Sequence, residues 1–356
     1  MKTSPENYSI LYVGRLSQYG DSSTCVHRYW ALKKLALRVD TVDVDDIFHW
    51  NFVNRVRNFM FCRGWNVGFA GTAKVGEAVL KRLEESEFDL LWIDKGVWIS
   101  GAALHFIKER HPQIKLIGYS PDDMGQRHNQ SVQFLSTLPE YDLFVTTKSY
   151  NVPELKALGC REVMFIGNAY EETFHYPRDL NEEELKRYRC DVGFIGAYER
   201  ERAESIRFLA DNAVPVWVFG NNWSISHPNI SVFPAVFNEG YCKALSATRI
   251  NLAFLRKINR DQQTTRSVEI PACGGFMLAE RTAEHLELFK EGEEAEFFSS
   301  NGELLEKCRY YLAHEDERVR IARAGLRRCI ESGYSNRGRL KSVLDHISKS
   351  GGGAVQ

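Results

Sequence analysis

Short apolar runs alternate with helical patterns along the whole chain. The first run, Tyr8–Val13, is rich in strand-forming residues and stops at Gly14, and Cys25–Leu37 then places Val26 and Trp30 at helical spacing. The alternation continues through 75–83, 89–93, 114–119, 143–147 and 163–166. Strands separated by helices of this length predict a parallel sheet that is covered on both faces.

The same pattern starts again near Cys190. The apolar run Asp191–Ile195 stops at Gly196, and a charged loop, a helical segment and a second strand, Val216–Phe219, follow. The second half therefore repeats the order of the first without a detectable sequence repeat. The polar segment 173–189 has no strand pattern and marks a boundary.

These patterns predict an α/β fold with two Rossmann-like domains that face a cleft. We assign residues 1–180 to an amino-terminal domain and 181–336 to a carboxyl-terminal domain. Residues 337–356 are expected to form a terminal helix that crosses back to the first domain, followed by a flexible tail. Because ligands of such sheets bind beyond the carboxyl ends of the strands, candidate chemistry is sought there.

Composition narrows the class of protein. Lysine and arginine number 46 against 47 aspartate and glutamate, and this balance argues against a nucleic-acid-binding protein. No run reaches the roughly 18 apolar residues that cross a bilayer, and the first residues lack a basic and then apolar leader. The eight cysteines form no CxxC pair, which is typical of reduced thiols in a cytoplasmic protein and predicts no zinc site.

The stretch RDQQTTRSVEIPACGGFMLAER, residues 260–281, carries the most information. Thr264 and Thr265 are good helix N-cap types, a short helix is expected over Ser267–Ala272, and a strand is expected over Phe276–Leu278. A helix amino terminus at a sheet edge attracts anions, because its unpaired N–H groups converge there.

Two charged side chains belong to this predicted helix. Arg266 would donate two hydrogen bonds to a phosphate, and Glu269, one turn further along, would accept from two adjacent ribose hydroxyls. Spacing alone leaves an alternative open, in which Arg266 and Glu269 form a surface ion pair and the glycines that follow form a turn.

The sequence also resembles a known family. TTRSVEIPACGGFMLAERTAEHLELFKEGEEAEFF and ELLEKCRYYLAHEDERVRIARAG resemble the donor domain of the CgeB-like glycosyltransferases, which are GT-B proteins similar to glycosyltransferase group 4. YSPDDMGQRHNQSVQFLSTLPEYDLFVTTKSYNVPELKALGC resembles the amino-terminal half of the same family. The resemblance implies transfer of a sugar from a nucleotide-diphosphate sugar, with a UDP-sugar as the expected donor, 1–180 as the acceptor-side domain and 181–336 as the nucleotide-sugar-binding domain. Because arginines and helix N–H groups would stabilise the leaving diphosphate, the transfer is expected to be metal-independent. The resemblance also implies retention of anomeric configuration and a carbohydrate, lipid-linked or protein acceptor.

The resemblance assigns roles at the donor site. Glu269 falls where the family contacts the nucleotide ribose, and Asp261 falls where an acidic residue, usually Glu, approaches the donor sugar. Because Asp261 departs from that pattern, a protein of spore or envelope assembly that binds a nucleotide or glycan without catalysis is the alternative function.

The resemblance also implies how the diphosphate is bound. Gly196 and the loop after it match the first donor-domain loop, in which a basic residue, here Arg200 or Arg202, binds diphosphate. The usual Gly-Phe-Gly phosphate turn is absent, and Thr264, Thr265 and Arg266 would replace it.

The amino-terminal half supplies further candidates at predicted strand ends. Gly14 opens a polar loop that suits close approach of a ligand. His128 is placed to hydrogen-bond the donor sugar, and Asp122 or Asp123 to orient an acceptor hydroxyl. Each of these polar residues has an alternative role in a turn or a helix cap.

Two further segments leave alternatives open. The triplet Asp43-Val44-Asp45 resembles a divalent-metal motif, but the two-domain pattern favours a solvated strand end. Residues 49–65 interleave aromatics with Arg55, Arg57 and Arg63, which suits a nucleic-acid stacking surface, a membrane-interface helix or a buried roof over the acceptor pocket. Neutral overall charge favours the buried roof. Peripheral contact at the inner membrane face ranks second, because a lipid-linked acceptor requires it.

Overall fold

A computed structural model describes residues 4–17 and 20–350. The tail predicted to be flexible lies largely outside this part, at 351–356. The described chain divides into two compact units, one formed by residues up to Gly167 with those from Asn336 onward, and the other by Asn168–Ser335. Residues 168–180, which the sequence analysis gave to the first domain, belong to the second unit, where the Arg178 amide donates to Ser246 Oγ at 3.1 Å.

The described residues contain twelve strands and fifteen α-helices. The strands are β1 Ser9–Gly14, β2 Arg38–Asp43, β3 Leu90–Asp94, β4 Lys115–Ser120, β5 Leu143–Thr146, β6 Val163–Phe165, β7 Val192–Ile195, β8 Val216–Phe219, β9 Ile230–Phe233, β10 Ile250–Ala253, β11 Met277–Glu280 and β12 Glu296–Phe298. The helices are α1 Thr24–Leu35, α2 Val44–Ile47, α3 Phe52–Phe61, α4 Thr72–Glu85, α5 Gly101–Arg110, α6 Val132–Thr137, α7 Asn151–Ala157, α8 Glu182–Tyr188, α9 Arg200–Asp211, α10 Asn238–Ala247, α11 Arg266–Ala272, α12 Ala283–Leu288, α13 Asn301–Ala313, α14 Glu315–Glu331 and α15 Asn336–Ser350.

The first unit has a parallel sheet in the order β2-β1-β3-β4-β5-β6. Strands β1, β3, β4 and β5 are almost fully buried because helices cover both faces, as their near-continuous apolar runs predict. Helix α15 packs against α1 and contributes Leu340, Val343 and Leu344 to the core around Ile10 and Leu32. The chain turns back after β2, so β1 and β3 flank the point where the strand order reverses, which is where such sheets bind ligands.

The second unit has a parallel sheet in the order β12-β11-β10-β7-β8-β9. Strand β7 is central, and the order reverses between β7 and β10. The prediction of two Rossmann-like α/β domains is confirmed. The short helix α11 begins one residue earlier than expected, and the strand after it occupies Met277–Glu280 rather than Phe276–Leu278.

The segment 49–65 is not the buried roof that the sequence analysis favoured. Helix α3 presents Phe52, Val53, Val56 and Phe59 to solvent, and Trp65 in the loop that follows is exposed as well. The sequence pattern is that of an amphipathic helix, and periodicity alone does not say whether its apolar face is covered. None of the helices in the described part of the chain is both long and apolar enough to cross a bilayer.

Candidate functional site

At the carboxyl end of β7, backbone and side-chain atoms lie very close together. A methyl group at Gly196 would lie 2.7 Å from the Phe194 ring and 3.5 Å from Arg266 Nη2. A methyl group at Gly220, after β8, would lie 1.9 Å from the Gly196 carbonyl oxygen, which also accepts from Trp223 Nε1 at 2.8 Å. The Phe194 ring therefore requires glycine at 196, and the Arg266 guanidinium lies within contact distance of this strand end.

Arg202 is a buried cation beside this strand end. It lies in the first turn of α9, its side chain is 4% exposed, and its Nη1 donates to the Ala197 carbonyl at 3.3 Å. Its Nε and Nη2 have no hydrogen-bond partner among the described residues. Burial, helped by the nearby charge of Arg266 and opposed by that of Glu199, lowers the pKa of Arg202 to about 10. The guanidinium is still protonated at neutral pH, with donors to offer to an anion.

Arg200, the other candidate of this loop, has a different setting. Its side chain is 82% exposed, and its Nε donates to Glu204 Oε1 at 2.8 Å. A solvated arginine that is already paired in this way contributes little binding energy to an additional anionic ligand. The structure therefore distinguishes Arg202 from Arg200, which the sequence left equivalent.

The start of α11 differs from the expected threonine cap. Thr265 already has helical backbone angles, and its side chain makes no capping bond. Instead, Ser267 Oγ accepts from the Thr264 amide at 3.0 Å. The Nε of Arg266 is buried and has no hydrogen-bond partner in the described part of the chain. The two threonines thus position the entry to the helix, while Arg266 extends toward Gly196.

A buried serine–histidine pair fixes this helix start. His285 Nδ1 lies 2.6 Å from the Glu280 carbonyl oxygen, which can only accept, so Nδ1 carries the proton. Its Nε2 then accepts from Ser267 Oγ at 2.7 Å. Burial lowers the pKa of His285, which favours this neutral form. The pair holds the first turn of α11 in one orientation.

Glu269 is buried and held by neutral donors. Tyr241 donates its hydroxyl to Glu269 Oε2 at 2.6 Å. His175 Nε2 lies 3.6 Å from Oε1, and its Nδ1 accepts from the Glu171 amide at 3.0 Å, which leaves the ring proton on the side of Glu269. Burial lowers the pKa of His175 to about 3. Glu269 is thus buried beside Tyr241 and His175 rather than part of the surface ion pair with Arg266 that was the alternative.

Asp261 lies on the same side of the second unit. It is buried, follows Arg260, which has left-handed backbone angles, and donates its amide to the Arg256 carbonyl at 3.2 Å. Its charge is close enough to Arg202 to raise that group's pKa, against the larger effect of burial. The second unit therefore brings together Gly196, Arg202, Asp261 and Arg266, whereas Arg200 points to solvent.

The candidates of the first unit follow β3 and β4. Asp122 Oδ2 lies 2.6 Å from the ammonium nitrogen of Lys95, whose φ is +66°. His128 Nε2 lies 3.2 Å from Asn129 Nδ2, in a 3₁₀ turn at Arg127–Asn129. Asp123 is fully buried, and its carboxylate accepts from Asn151 Nδ2 at 2.7 Å and so stabilises the loop. Asp122 is thus the more accessible of the two aspartates.

Gly14, a predicted ligand contact, is enclosed by side chains. A methyl group there would lie 2.6 Å from Cys25 Sγ and 3.3 Å from Asp94 Cβ. Arg28 binds Asp94 through two hydrogen bonds, Nε to Oδ2 at 2.7 Å and Nη2 to Oδ1 at 3.0 Å, and Tyr12 donates to Oδ2 at 2.7 Å. Glycine at position 14 is therefore required by packing around a buried ion pair.

The Asp43-Val44-Asp45 triplet caps a helix at a strand end. Asp43 Oδ1 accepts from the Asp45 amide at 2.9 Å and from the Leu16 amide at 3.1 Å, and Asp45 pairs with Arg15 at 2.6 Å. These contacts are those of the strand end that the sequence favoured. Among the described residues, no group of three or more His, Cys, Asp or Glu side chains is arranged to hold a metal ion.

Sequence analysis did not identify two residues that contact Glu269. Tyr241 belongs to α10, 28 positions earlier, and His175 lies in the segment that enters the second unit. Neither occurs in a motif that spacing would single out. Only the packing of α10 and this segment beside α11 brings them to the carboxylate.

Solved structures with the same fold cover almost the entire chain. The structure of HepE from Anabaena in complex with UDP-glucose matches with a TM-score of 0.62 and 11% identity, over 98% of this chain and 100% of that one. A sucrose-phosphate synthase from Thermosynechococcus elongatus matches with a TM-score of 0.67 and 10% identity, over 98% and 100%. The fold is that of the GT-B glycosyltransferases.

Other comparisons extend the GT-B match. A glycosyltransferase from Rickettsia africae is 14% identical, with a TM-score of 0.61 over 98% of this chain and 100% of that one. Residues 200–345 match the model of a family described as glycosyl transferase-like. This match begins at α9, which carries Arg202, and includes Asp261, Arg266 and Glu269. No curated protein matches the chain.

Proposed function

We propose that this protein is a GT-B glycosyltransferase that takes a sugar from a nucleotide-diphosphate sugar, with a UDP-sugar as donor. One observation carries the proposal. The buried Arg202 guanidinium keeps two nitrogens without a partner among the described residues, at a strand end that Arg266 also reaches. Buried unsatisfied donors of positive charge are costly, so their retention points to an anionic ligand. The GT-B fold and the UDP-glucose complex of HepE support a donor of this class.

The diphosphate would bind at Arg202 and Arg266. Breaking the bond between the sugar's anomeric carbon and the phosphate oxygen places negative charge on the departing diphosphate. Two guanidinium groups already positioned there would stabilise that charge as it develops. Gly196 would let the diphosphate approach the backbone, and Thr264 and Thr265 would line the entry to α11.

Roles toward the ribose, the sugar or the acceptor are proposed for each of the remaining candidates. Glu269 would accept from the ribose hydroxyls, and Tyr241 and His175 would hold its carboxylate in place. Asp261 would approach the donor sugar, while His128 and Asp122 of the first unit would bind the donor sugar and the acceptor hydroxyl. We further propose that the configuration at the anomeric carbon is retained, as the resemblance to the CgeB-like group implies.

Glu269→Ala should weaken UDP-glucose binding by about 1.5–3 kcal/mol, because it removes hydrogen bonds to a charged group. Isothermal titration calorimetry measures the change. Glu287→Ala, which removes an exposed carboxylate on α12, is the matched control and should leave affinity unchanged. Tyr241→Phe should cause a smaller loss, since the carboxylate remains but loses one of its donors. Equal affinity in wild type and Glu269→Ala would exclude Glu269 from the nucleotide site.

Turnover should not depend on a divalent metal ion, because Arg202 and Arg266 supply positive charge at the leaving diphosphate. Release of UDP from UDP-sugar is measured with and without EDTA, and we expect equal rates. Loss of activity in EDTA that manganese or magnesium restores would contradict this expectation. In that case Asp43 and Asp45 would again be candidate ligands.

A nucleotide- or glycan-binding protein of spore or envelope assembly without catalysis is the alternative. Asp261 favours it, because the CgeB-like pattern usually has Glu at that position. The two functions differ in one measurement, since both predict nucleotide binding but only the transferase slowly hydrolyses a bound sugar nucleotide. Seven buried free cysteines support a reducing, cytoplasmic location for either function.

A further inference from the structure

Helix α3 carries an exposed apolar surface on the first unit. We call the side chains of Phe52, Val53, Val56, Phe59 and Trp65 the α3 face. Phe52 is 80% exposed, Trp65 61% and Phe59 57%, values that are high for large apolar side chains. Clustered exposed apolar residues of this kind mark interaction surfaces more often than isolated ones do.

The opposite side of the helix is firmly attached. Asn54 donates from Nδ2 to the carbonyls of His49 and Ala70, both at 3.1 Å, and accepts from the Ala70 amide at 2.9 Å. Phe61 packs edge-on against Phe69 with ring centroids 5.4 Å apart. The α3 face is therefore held outward by buried contacts on the other side of the helix.

Positive charge borders the α3 face. Residues 49–65 contain Arg55, Arg57 and Arg63 and no aspartate or glutamate. Arg127 adds a fourth guanidinium, since its Cβ lies 3.3 Å from the position a methyl group would take at Gly64. In a chain of net charge -1, this segment therefore carries a local excess of positive charge.

We propose that the α3 face docks the first unit onto an anionic lipid surface. Exposed aromatic and aliphatic side chains would enter the boundary between headgroups and acyl chains, and the arginines would pair with lipid phosphates. Val53 and Val56 offer no flat ring to a nucleobase, and Arg63 already covers the Phe59 ring at 3.4 Å. Both features favour a lipid surface over single-stranded nucleic acid, which needs uncovered rings for stacking.

The α3 face lies near a candidate catalytic residue of the first unit. The methyl position at Gly64 lies 3.8 Å from the backbone nitrogen of His128, so the loop after α3 adjoins a candidate catalytic residue. Docking would bring the headgroup of a lipid-linked acceptor to this edge of the first unit. This step rests on the proposed function, whereas docking itself does not.

Vesicle co-sedimentation tests the proposal with the full chain. Wild type should sediment with vesicles of phosphatidylcholine and phosphatidylglycerol, and much less with phosphatidylcholine alone. Phe52→Ser with Val56→Ser should lower partitioning by about tenfold or more. Arg55→Gln and Arg63→Gln should each lower it by about fivefold. Ile330→Ser removes an apolar side chain that is 61% exposed on α14, and this control should leave partitioning unchanged.

Three results would overturn the proposal. The first is no sedimentation with anionic vesicles at low salt, or equal partitioning of wild type and the Phe52→Ser, Val56→Ser variant. The second is tight binding of a single-stranded oligonucleotide without vesicle binding, which would assign the face to nucleic acid. The third is a dimer that this variant dissociates, again without vesicle binding. Calorimetry with UDP-glucose on the same variant keeps the donor proposal separate, because its affinity should be unchanged.

Discussion

Replacing Arg202 by Met should slow sugar transfer about 100-fold to 1,000-fold, as the loss of one preorganised donor does at other charge-stabilising sites. The expected effect on folding has the opposite direction. Arg202 is buried with two unpartnered nitrogens among the described residues, and Glu199 keeps Arg256 as a partner at 3.0 Å. Removing a buried, poorly paired charge should leave the melting temperature unchanged or slightly higher.

Steady-state kinetics with a UDP-sugar and thermal denaturation of the same samples measure both effects. Arg200→Met is the matched control, because it removes an arginine two positions earlier that is exposed and paired with Glu204. We expect the control to retain full turnover. Similar losses in the two variants, or a large drop in melting temperature for Arg202→Met, would indicate that Arg202 has a structural role instead.

Asp94→Ala should destabilise the first unit by about 3–5 kcal/mol, the usual cost of leaving a buried charge unpaired. Arg28 is 4% exposed, and the Asp94 carboxylate accepts two hydrogen bonds from its guanidinium. In the wild-type protein the charge of Asp94 raises the pKa of Arg28 above its usual value, although burial opposes the shift, and Asp94→Ala removes this support from the buried guanidinium.

Urea denaturation followed by tryptophan fluorescence reports mainly on this unit, because five of the seven tryptophans belong to it and Trp92 lies fully buried in β3. The double variant Arg28→Met, Asp94→Leu should recover most of the lost stability, since apolar side chains of similar size replace both charges. A single variant as stable as wild type would show that the pair is not a main contributor to the unit. Failure of the double variant to recover would instead indicate that the Tyr12 hydroxyl needs Asp94.

Repeating strand and helix patterns were enough to predict the two Rossmann-like domains, because each buried parallel strand is a short continuous apolar run. Some strands were not predicted. One example is the edge strand β9, which lacks a continuous buried apolar run because two of its four residues are exposed. The start of α11 was placed within one residue, but not its cap. Thr265 takes up helical angles and makes no capping bond, and Ser267 Oγ accepts from the Thr264 amide before the helix.

Long-range packing decided the rest of the candidate site. Arg200 and Arg202 are the same residue type in the same segment, so the sequence does not distinguish them. Only the direction of their side chains from α9 makes Arg200 part of a surface ion pair and Arg202 a buried cation. Tyr241 and His175 contact Glu269, although both lie too far from it in the sequence for a local pattern to indicate the contact.

The sequence by itself determined the two Rossmann-like domains, because each repeats a local order of strands and helices, and the resemblance to the CgeB-like group supplied Arg200 and Arg202 as candidates for diphosphate binding. Only the tertiary structure decided which face of α3 is covered and which arginine lacks a partner among the described residues. Those outcomes depend on burial, which removes water from one side chain and leaves another solvated. Packing between residues that are far apart in the chain determines this burial, and no local sequence pattern shows which of these residues come into contact.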